Sequence, residues 1–520
     1  LPFHTVKYTT ILFVISCFFL LSKSHAQKLE KKKIRAESFF YTEKFEKARL
    51  AYEELLNLEP DYKTAIYRVE ICSLLTISPN KSTKMLEGYA KTQGRKDKFY
   101  HYWMAMIYFN QGRYKESIDA CQRFYVVNQF KTKEIRDEVK ELQRIAELRY
   151  YYFKQTPHYK VEHVSGKLNS GHNEYSPVYC EKRQSLLFLS SHKRINFNSK
   201  NENFHVFEAQ KINGEWHAPK MIHHLHTFSE QNISISLIDD KDKLYVYKDS
   251  EDGHLQYSDY KAHRWSVPEG HHMNSEVTEL TAHFFINEEE NKLLFSQKST
   301  TKDGIEHLDI VQSEKDTVNG TWQQPKILSD SINSDMDEDF PFLSRDGKTL
   351  YFSSKGHNSI GGYDIFKSEY DKVTEKWSKP EALKNPINSI EDDIQYNVTE
   401  DLTTAYYVSN KKQSKGGYDI YFSKELNKTL VSGSLTDADG RTIVGAKLVF
   451  NSQKNPDVFL DVFTDEKGEF KIKADTGDAF SLEIWVEGEC IHKDNLIVSS
   501  EATKAGSLVY DFSLAWAKKD

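Results

Sequence analysis

The sequence predicts a multidomain chain, α-helical first and all-β afterwards: helical repeats, a five-bladed β-propeller, then a small β-sandwich. Three observations carry that expectation. Residues 28–154 place small and aromatic side chains at helical spacing. Between Tyr159 and Leu426 the period falls to two, and a unit built on Asn-Ser recurs. From Thr429 onward, short strands alternate with Asp-Gly and Lys-Gly turns. A length of 520 residues leaves room for two to four cores.

In the helical third, Ala36, Phe39, Phe45, Ala48, Tyr52 and Pro60 fall at positions 8, 11, 17, 20, 24 and 32 of a 34-residue tetratricopeptide (TPR) unit. Ala105, Tyr108, Gly112 and Tyr114 repeat the scheme, with Ser117 and Cys121 in the small and medium slots. The stretch 62–95 has the length of a degenerate unit, and "KTKEIRDEVKELQRIAELRYYY" reads as a solvated capping helix. Such a stack offers a concave face for a protein partner; a helical spacer is the alternative.

The β-repeats are anchored at Asn169, His226, Asn274, Asn333 and Asn388. "INSDMDEDFPFLSRDGKTLYFSSKGHNSIGGYDIF" (332–366) aligns with "INSIEDDIQYNVTEDLTTAYYVSNKKQSKGGYDIY" (387–421), and three weaker copies precede them. Each unit resolves into four short strands, the last opening at Trp216, Trp265, Trp322 or Trp377. Four strands repeated radially predict a propeller over 157–427. The fifth unit lacks its tryptophan strand, and Tyr159 sits in that slot ahead of the first anchor, so the N-terminal strand is expected to complete the last blade. Each Gly-Gly-Tyr-Asp runs into a strand, not a helix, so its glycines are read as turn residues with positive φ rather than a phosphate cradle. Asp364 and Asp419 are expected to bond backbone amides or neighbouring blades. The sandwich spans 429–517, with about seven strands, and Asp437, Asp439 and Gly440 form one of its turns.

The first 26 residues read as a secretory signal: an apolar run Ile11–Leu21, then Ser24 and Ala26 at the positions a signal peptidase accepts. Eleven apolar residues are too few for a permanent span; a lipoprotein through Cys17 is the alternative. Leu1 stands where Met would start a chain, which fits either a fragment or a non-standard start codon. The expected location is periplasmic and outer-membrane associated, with no transmembrane helix in the mature chain. A net charge of −7 with 28% charged residues gives no general grip on nucleic acid. Cys72, Cys121, Cys180 and Cys490 show no zinc or disulfide spacing, though Cys72 and Cys121 could pair in an oxidising compartment.

No catalytic constellation emerges, and the chain is expected not to be an enzyme. "GHNSIG" (356–361) is one residue too long for a nucleophile elbow, and no H-E-x-x-H occurs. His223, His224, His271 and His272 fall at matching positions of adjacent blades, where imidazoles could share a transition metal; inter-blade turns are the alternative, and no metal or cofactor is assigned. Glu174, Glu230, Glu279, Glu338 and Asp393 follow the anchors and could line a channel, hold calcium or cap turns.

"LSRDGKTLYFSSKGHNSIGGYDIF" resembles the WD40-like PD40 blade of the TolB propeller. "VSGSLTDADGRTIVGAKLVF" is similar to the carboxypeptidase regulatory-like, or transthyretin-like, domain, an accessory fold. Signal, TPR units, PD40 propeller and sandwich in that order resemble a Bacteroidota envelope family that includes the type IX secretion component PorE. The resemblance implies a non-enzymatic scaffold of outer-membrane biogenesis or secretion, with envelope proteins held by the TPR groove and the propeller face. The family normally continues into an OmpA-like domain, whereas this chain ends at "LAWAKKD" just after the sandwich; either that segment is missing from a fragment or this member anchors differently, so the grip on peptidoglycan is not carried over. Direct glycan or peptidoglycan binding by the propeller or sandwich is the alternative function.

Overall fold

The computed structural model describes residues 27–92, 99–127, 133–164, 166–191, 204–227, 234–247, 255–270, 283–316, 318–454, 459–498 and 507–514. The signal segment, Asn274, Glu230, Glu279, His271 and His272 lie outside them, as does the side chain of His226. The chain divides after Lys154 into two compact units.

The first unit is helical: α1 (27–41), α2 (Phe45–Leu58), α3 (Lys63–Leu75), α4 (Lys84–Thr92), α5 (Tyr100–Asn110), α6 (Tyr114–Val127) and α7 (Lys133–Lys154). Ala48, Tyr52 and Leu55 put one face of α2 inside, and α2 packs on α3 as α5 packs on α6. Gly112, at φ 71°, ends α5 so that the chain can turn back into α6. The core is aromatic, with Phe40 edge-on to Trp103 at 4.7 Å. Cys72 and Cys121 are buried free thiols in it, each pushed up to about 12 by burial.

The helical unit departs from the fold class expected from sequence: tetratricopeptide repeats are not evident among the described residues. The middle hairpin has a second helix of nine residues, and α3 buries Arg68 and Glu70 where a repeat would place small or apolar groups. Small residues alternating with aromatics at helical spacing are what any close helix pair needs, so that spacing does not specify a 34-residue repeat.

The described residues of the second unit form small separate sheets, none of them closed into a barrel. Five of them begin with the inner strands Glu174–Cys180, Ile235–Ile238, Phe284–Ile286, Glu338–Leu343 and Asp393–Val398. Each inner strand touches the next, and the fifth touches the first. This ring of sheets is a β-propeller arrangement. The outer strands start at the tryptophans, as Glu215–Trp216, Arg264–Trp265 and Lys376–Trp377, and Trp322 makes an isolated bridge to Lys315. In the fifth sheet the outer place is taken by Tyr159–His163, antiparallel to Asp419–Glu425 with Tyr159 opposite Glu425.

The anchor asparagines now have a physical role. The side-chain amide of Asn333 accepts from Ile310 N–H at 2.8 Å and donates to Ile310 O at 3.0 Å; Asn388 does the same to Ile365 at 2.8 and 3.0 Å. Among the described residues, Asn333 and Asn388 thus each extend the third strand of the preceding sheet by one mock backbone pair.

The Gly-Gly pairs have a different reason from the one expected. None of the four glycines has a positive φ. A Cβ on Gly361 would overlap the Ser389 and Glu391 carbonyls of the next sheet, and one on Gly416 would overlap the His172 carbonyl of the first. The glycines are there for close approach of neighbouring blades. Asp364 and Asp419 cap the same loops, accepting from Ile360 N–H at 2.5 Å and Lys415 N–H at 2.7 Å.

The sandwich follows directly. Lys428–Asp437 pairs with Glu469–Asp475, Ser507–Val509 and Phe512–Leu514; the facing sheet runs Phe459–Phe463, Lys447–Ser452, Ala479–Val486 and Glu489–Ile497. Strict alternation aims Phe470, Ile472, Leu482 and Ile484 into a core of its own. Asp437 accepts from the Asp439 and Arg441 amides, both at 2.9 Å, and so serves as a turn residue.

Candidate functional site: the mouth of the propeller channel

In three inner strands the second residue after the leading acid takes a left-handed backbone: Ser176 at φ 50°, Phe340 at 52° and Gln395 at 56°. The strand register shifts at each of them, so these are equivalent β-bulges. The bulges re-aim side chains toward the axis, where Gln395 accepts from Ser176 N–H at 2.7 Å and donates to Ser176 Oγ at 3.1 Å. Beside this bond lies a cavity of about 260 Å³ lined by all five inner strands and opening among the turns that follow them.

Those turns carry a charged residue at the same place in every blade: Lys182, Asp240, Glu288, Arg345 and Glu400. Arg345 gathers the three acids among them. Its Nε lies 2.8 Å from Glu288 Oε2, and its two terminal nitrogens pair with Asp240 and Glu400. One guanidinium therefore ties the fourth blade to the second, third and fifth. Burial works against its charge, yet Glu288, Glu400 and Asp240 together hold its pKa above the ordinary value.

The acids outnumber the bases around it. Glu288 is pushed up to about 7, chiefly by burial, with Asp240 and Glu400 adding to the shift and Arg345 opposing it. Glu181, at the first blade's turn, is also pushed up to about 7 by burial, then by Glu400, Asp401 and Asp239. Asp239 is committed elsewhere, accepting from Cys180 Sγ and the Glu181 amide, both at 2.8 Å. The mouth therefore carries more acidic groups than basic ones, two of them partly protonated near neutral pH, above a cavity with apolar walls such as Val178, Ile235 and Phe342.

The residues singled out from sequence lie elsewhere. Glu174, Glu338 and Asp393 are buried and bonded to serines, Glu338 for example to Ser334 Oγ at 2.7 Å and Ser354 Oγ at 2.6 Å. They brace the blades. His223 and His224 are exposed on the strand Lys220–Thr227, and no group of metal-binding geometry occurs among the described residues. In "GHNSIG", His357 donates to the Ile332 carbonyl at 2.7 Å and Ser359 to the Gly362 carbonyl at 2.9 Å, both structural bonds. The charged turn ring was missed because its offset from the anchors drifts between 12 and 14 residues. Aligning the units on the turns instead would have shown it.

No protein-family model matches the chain, and no curated protein does. Similar solved structures include a GH43_12 protein retrieved from a capybara gut metagenome, 11% identical over 66% of this chain and 68% of that one, TM-score 0.35. A thermostable family-43 glycoside hydrolase is 13% identical over 49% and 89%, TM-score 0.32. A TolB-type protein from Agrobacterium tumefaciens is 12% identical over 61% and 97%, TM-score 0.29. No residue role is taken from likenesses this distant. They do overturn one expectation: the chain was expected not to be an enzyme because its folds read as interaction folds, yet two of these three similar structures belong to glycoside hydrolase families.

Proposed function

We propose that the protein is an exported, periplasmic scaffold of the cell envelope, associated with the outer membrane, that holds a partner protein at the mouth of its propeller channel. The observation that carries this reading is the Arg345 hub. Three carboxylates from three blades converge on one cation, and Glu181 adds a fourth acid that burial has pushed up to about 7. An excess of acid over a cavity suits a lysine or arginine of a partner. The family resemblance gives outer-membrane biogenesis or type IX secretion as the setting. Affinity capture from envelope extracts, with wild type and Glu181→Gln/Glu288→Gln side by side, tests it. A protein retained by wild type and lost from the variant supports the reading; equal retention on both removes it.

One observation favours a second reading, recognition of glycan or peptidoglycan at the same mouth. Acids with pKa values near 7 are partly neutral at neutral pH and can donate hydrogen bonds to sugar hydroxyls. Co-sedimentation with purified sacculi separates the two readings.

A further inference from the structure

The sandwich and the propeller belong to one compact unit, yet the sandwich's apolar core contains no propeller residue. Among the described residues, lysines join the two. Lys471 Nζ lies 3.0 Å from Glu400 Oε2, Lys473 Nζ lies 2.7 Å from Glu425 Oε2, and Lys348 Nζ donates to the Asp461 carbonyl at 2.9 Å. Lys471 and Lys473 share one face of the strand Glu469–Asp475, whose other face feeds the core with Phe470, Ile472 and Ala474. The covalent connection is short, Leu426 and Asn427, between the last blade strand and Lys428.

Glu400 is where this junction meets the channel mouth. One carboxylate oxygen pairs with Arg345 and the other with Lys471. The two cations are not held equally. Arg345 is fixed by Asp240 and Glu288 as well, whereas Lys471 is 38% exposed and pairs with Glu400 alone among the ion pairs it makes. A half-exposed lysine pair is worth about 1 kcal/mol or less, so another cation can take its place.

We propose that the sandwich is an internal competitor for the channel mouth: Lys471 occupies, on Glu400, the position that a lysine or arginine of the partner protein takes. The inference rests on the binding reading above and adds its regulation. When the partner's cation reaches Glu400, Lys471 is displaced and the sandwich loses one of these polar ties; when the partner leaves, Lys471 returns and neutralises the carboxylate.

The test is calorimetric titration of the full chain with a hexa-arginine peptide at low salt, for wild type, Lys471→Gln and Glu400→Gln. Thermal unfolding confirms that each variant is folded. Removing the competitor is expected to tighten binding about threefold to fivefold, the size of one exposed pair, and removing the shared carboxylate to weaken it. Equal or weaker binding by Lys471→Gln overturns the competition while leaving the mouth as a binding site. Absence of binding by all three proteins overturns the mouth reading and this proposal with it.

Discussion

Asn169 and Ile420 are 251 residues apart in sequence and joined by two hydrogen bonds. Ile420 N–H donates to Asn169 Oδ1 at 2.8 Å, and Asn169 Nδ2 donates to Ile420 O at 2.9 Å. The first anchor thus hooks onto the last blade, beside the point where Tyr159–His163 pairs with Asp419–Glu425. The ring is closed by a side chain as well as by a strand.

Asn169→Ala leaves the buried amide and carbonyl of Ile420 without that partner. We expect a loss of about 2 kcal/mol, read as a shift of the urea midpoint. Unchanged stability would show that strand pairing alone closes the ring.

The two glycine classes should behave differently. Gly416→Ala forces a methyl group against the His172 carbonyl, a backbone atom that cannot rotate away. At Gly347, whose φ is 67°, a Cβ would meet nothing within 4 Å, so Gly347→Ala costs about 1 kcal/mol of backbone strain. Thermal unfolding should rank Gly416→Ala well below Gly347→Ala.

These cases mark what could be read in the sequence. The anchors Asn169, Asn333 and Asn388, the tryptophan-led outer strands and the slot filled by Tyr159 were legible because backbone pairing needs fixed residues at fixed places. The purpose of Gly361 and Gly416 was not, since close approach between blades depends on residues far along the chain. The helical spacing of Ala36, Phe39 and Tyr52 was over-read as a repeat, because local packing alone accounts for it. The Arg345 hub was invisible for a further reason: its partners Asp240, Glu288 and Glu400 meet only when the ring is folded.

The raised acids give a pH dependence with a definite sign. Glu181 and Glu288 hold protons up to about pH 7 in the folded state, against about 4.5 when unfolded. Between those values the native state binds more protons, so the stability these groups contribute is present at pH 4.5 and is lost as pH rises through 7. Glu181→Gln should therefore gain melting temperature over wild type at pH 8, with little gain at pH 5. A gap that does not change with pH would contradict the assignment.

Arg345→Met removes the cation shared by Asp240, Glu288 and Glu400. Because these groups are partly exposed, the expected loss is about 2 kcal/mol, short of a fully buried pair. It should be larger at pH 8 than at pH 5, since Arg345 opposes the rise in the Glu288 pKa and its absence leaves a higher folded value to titrate. Urea unfolding at the two pH values measures both.

The central claim, that a partner protein is held at the channel mouth, is tested most directly by photo-crosslinking in cells. A photoreactive residue replaces Glu289 at the mouth in one strain, and Val373, on an exposed outer turn of the fourth blade, in another. The account predicts a defined crosslink to one envelope protein from position 289, weakened by Glu181→Gln, and none from position 373. The same crosslinks from both positions, or none from 289, would contradict it.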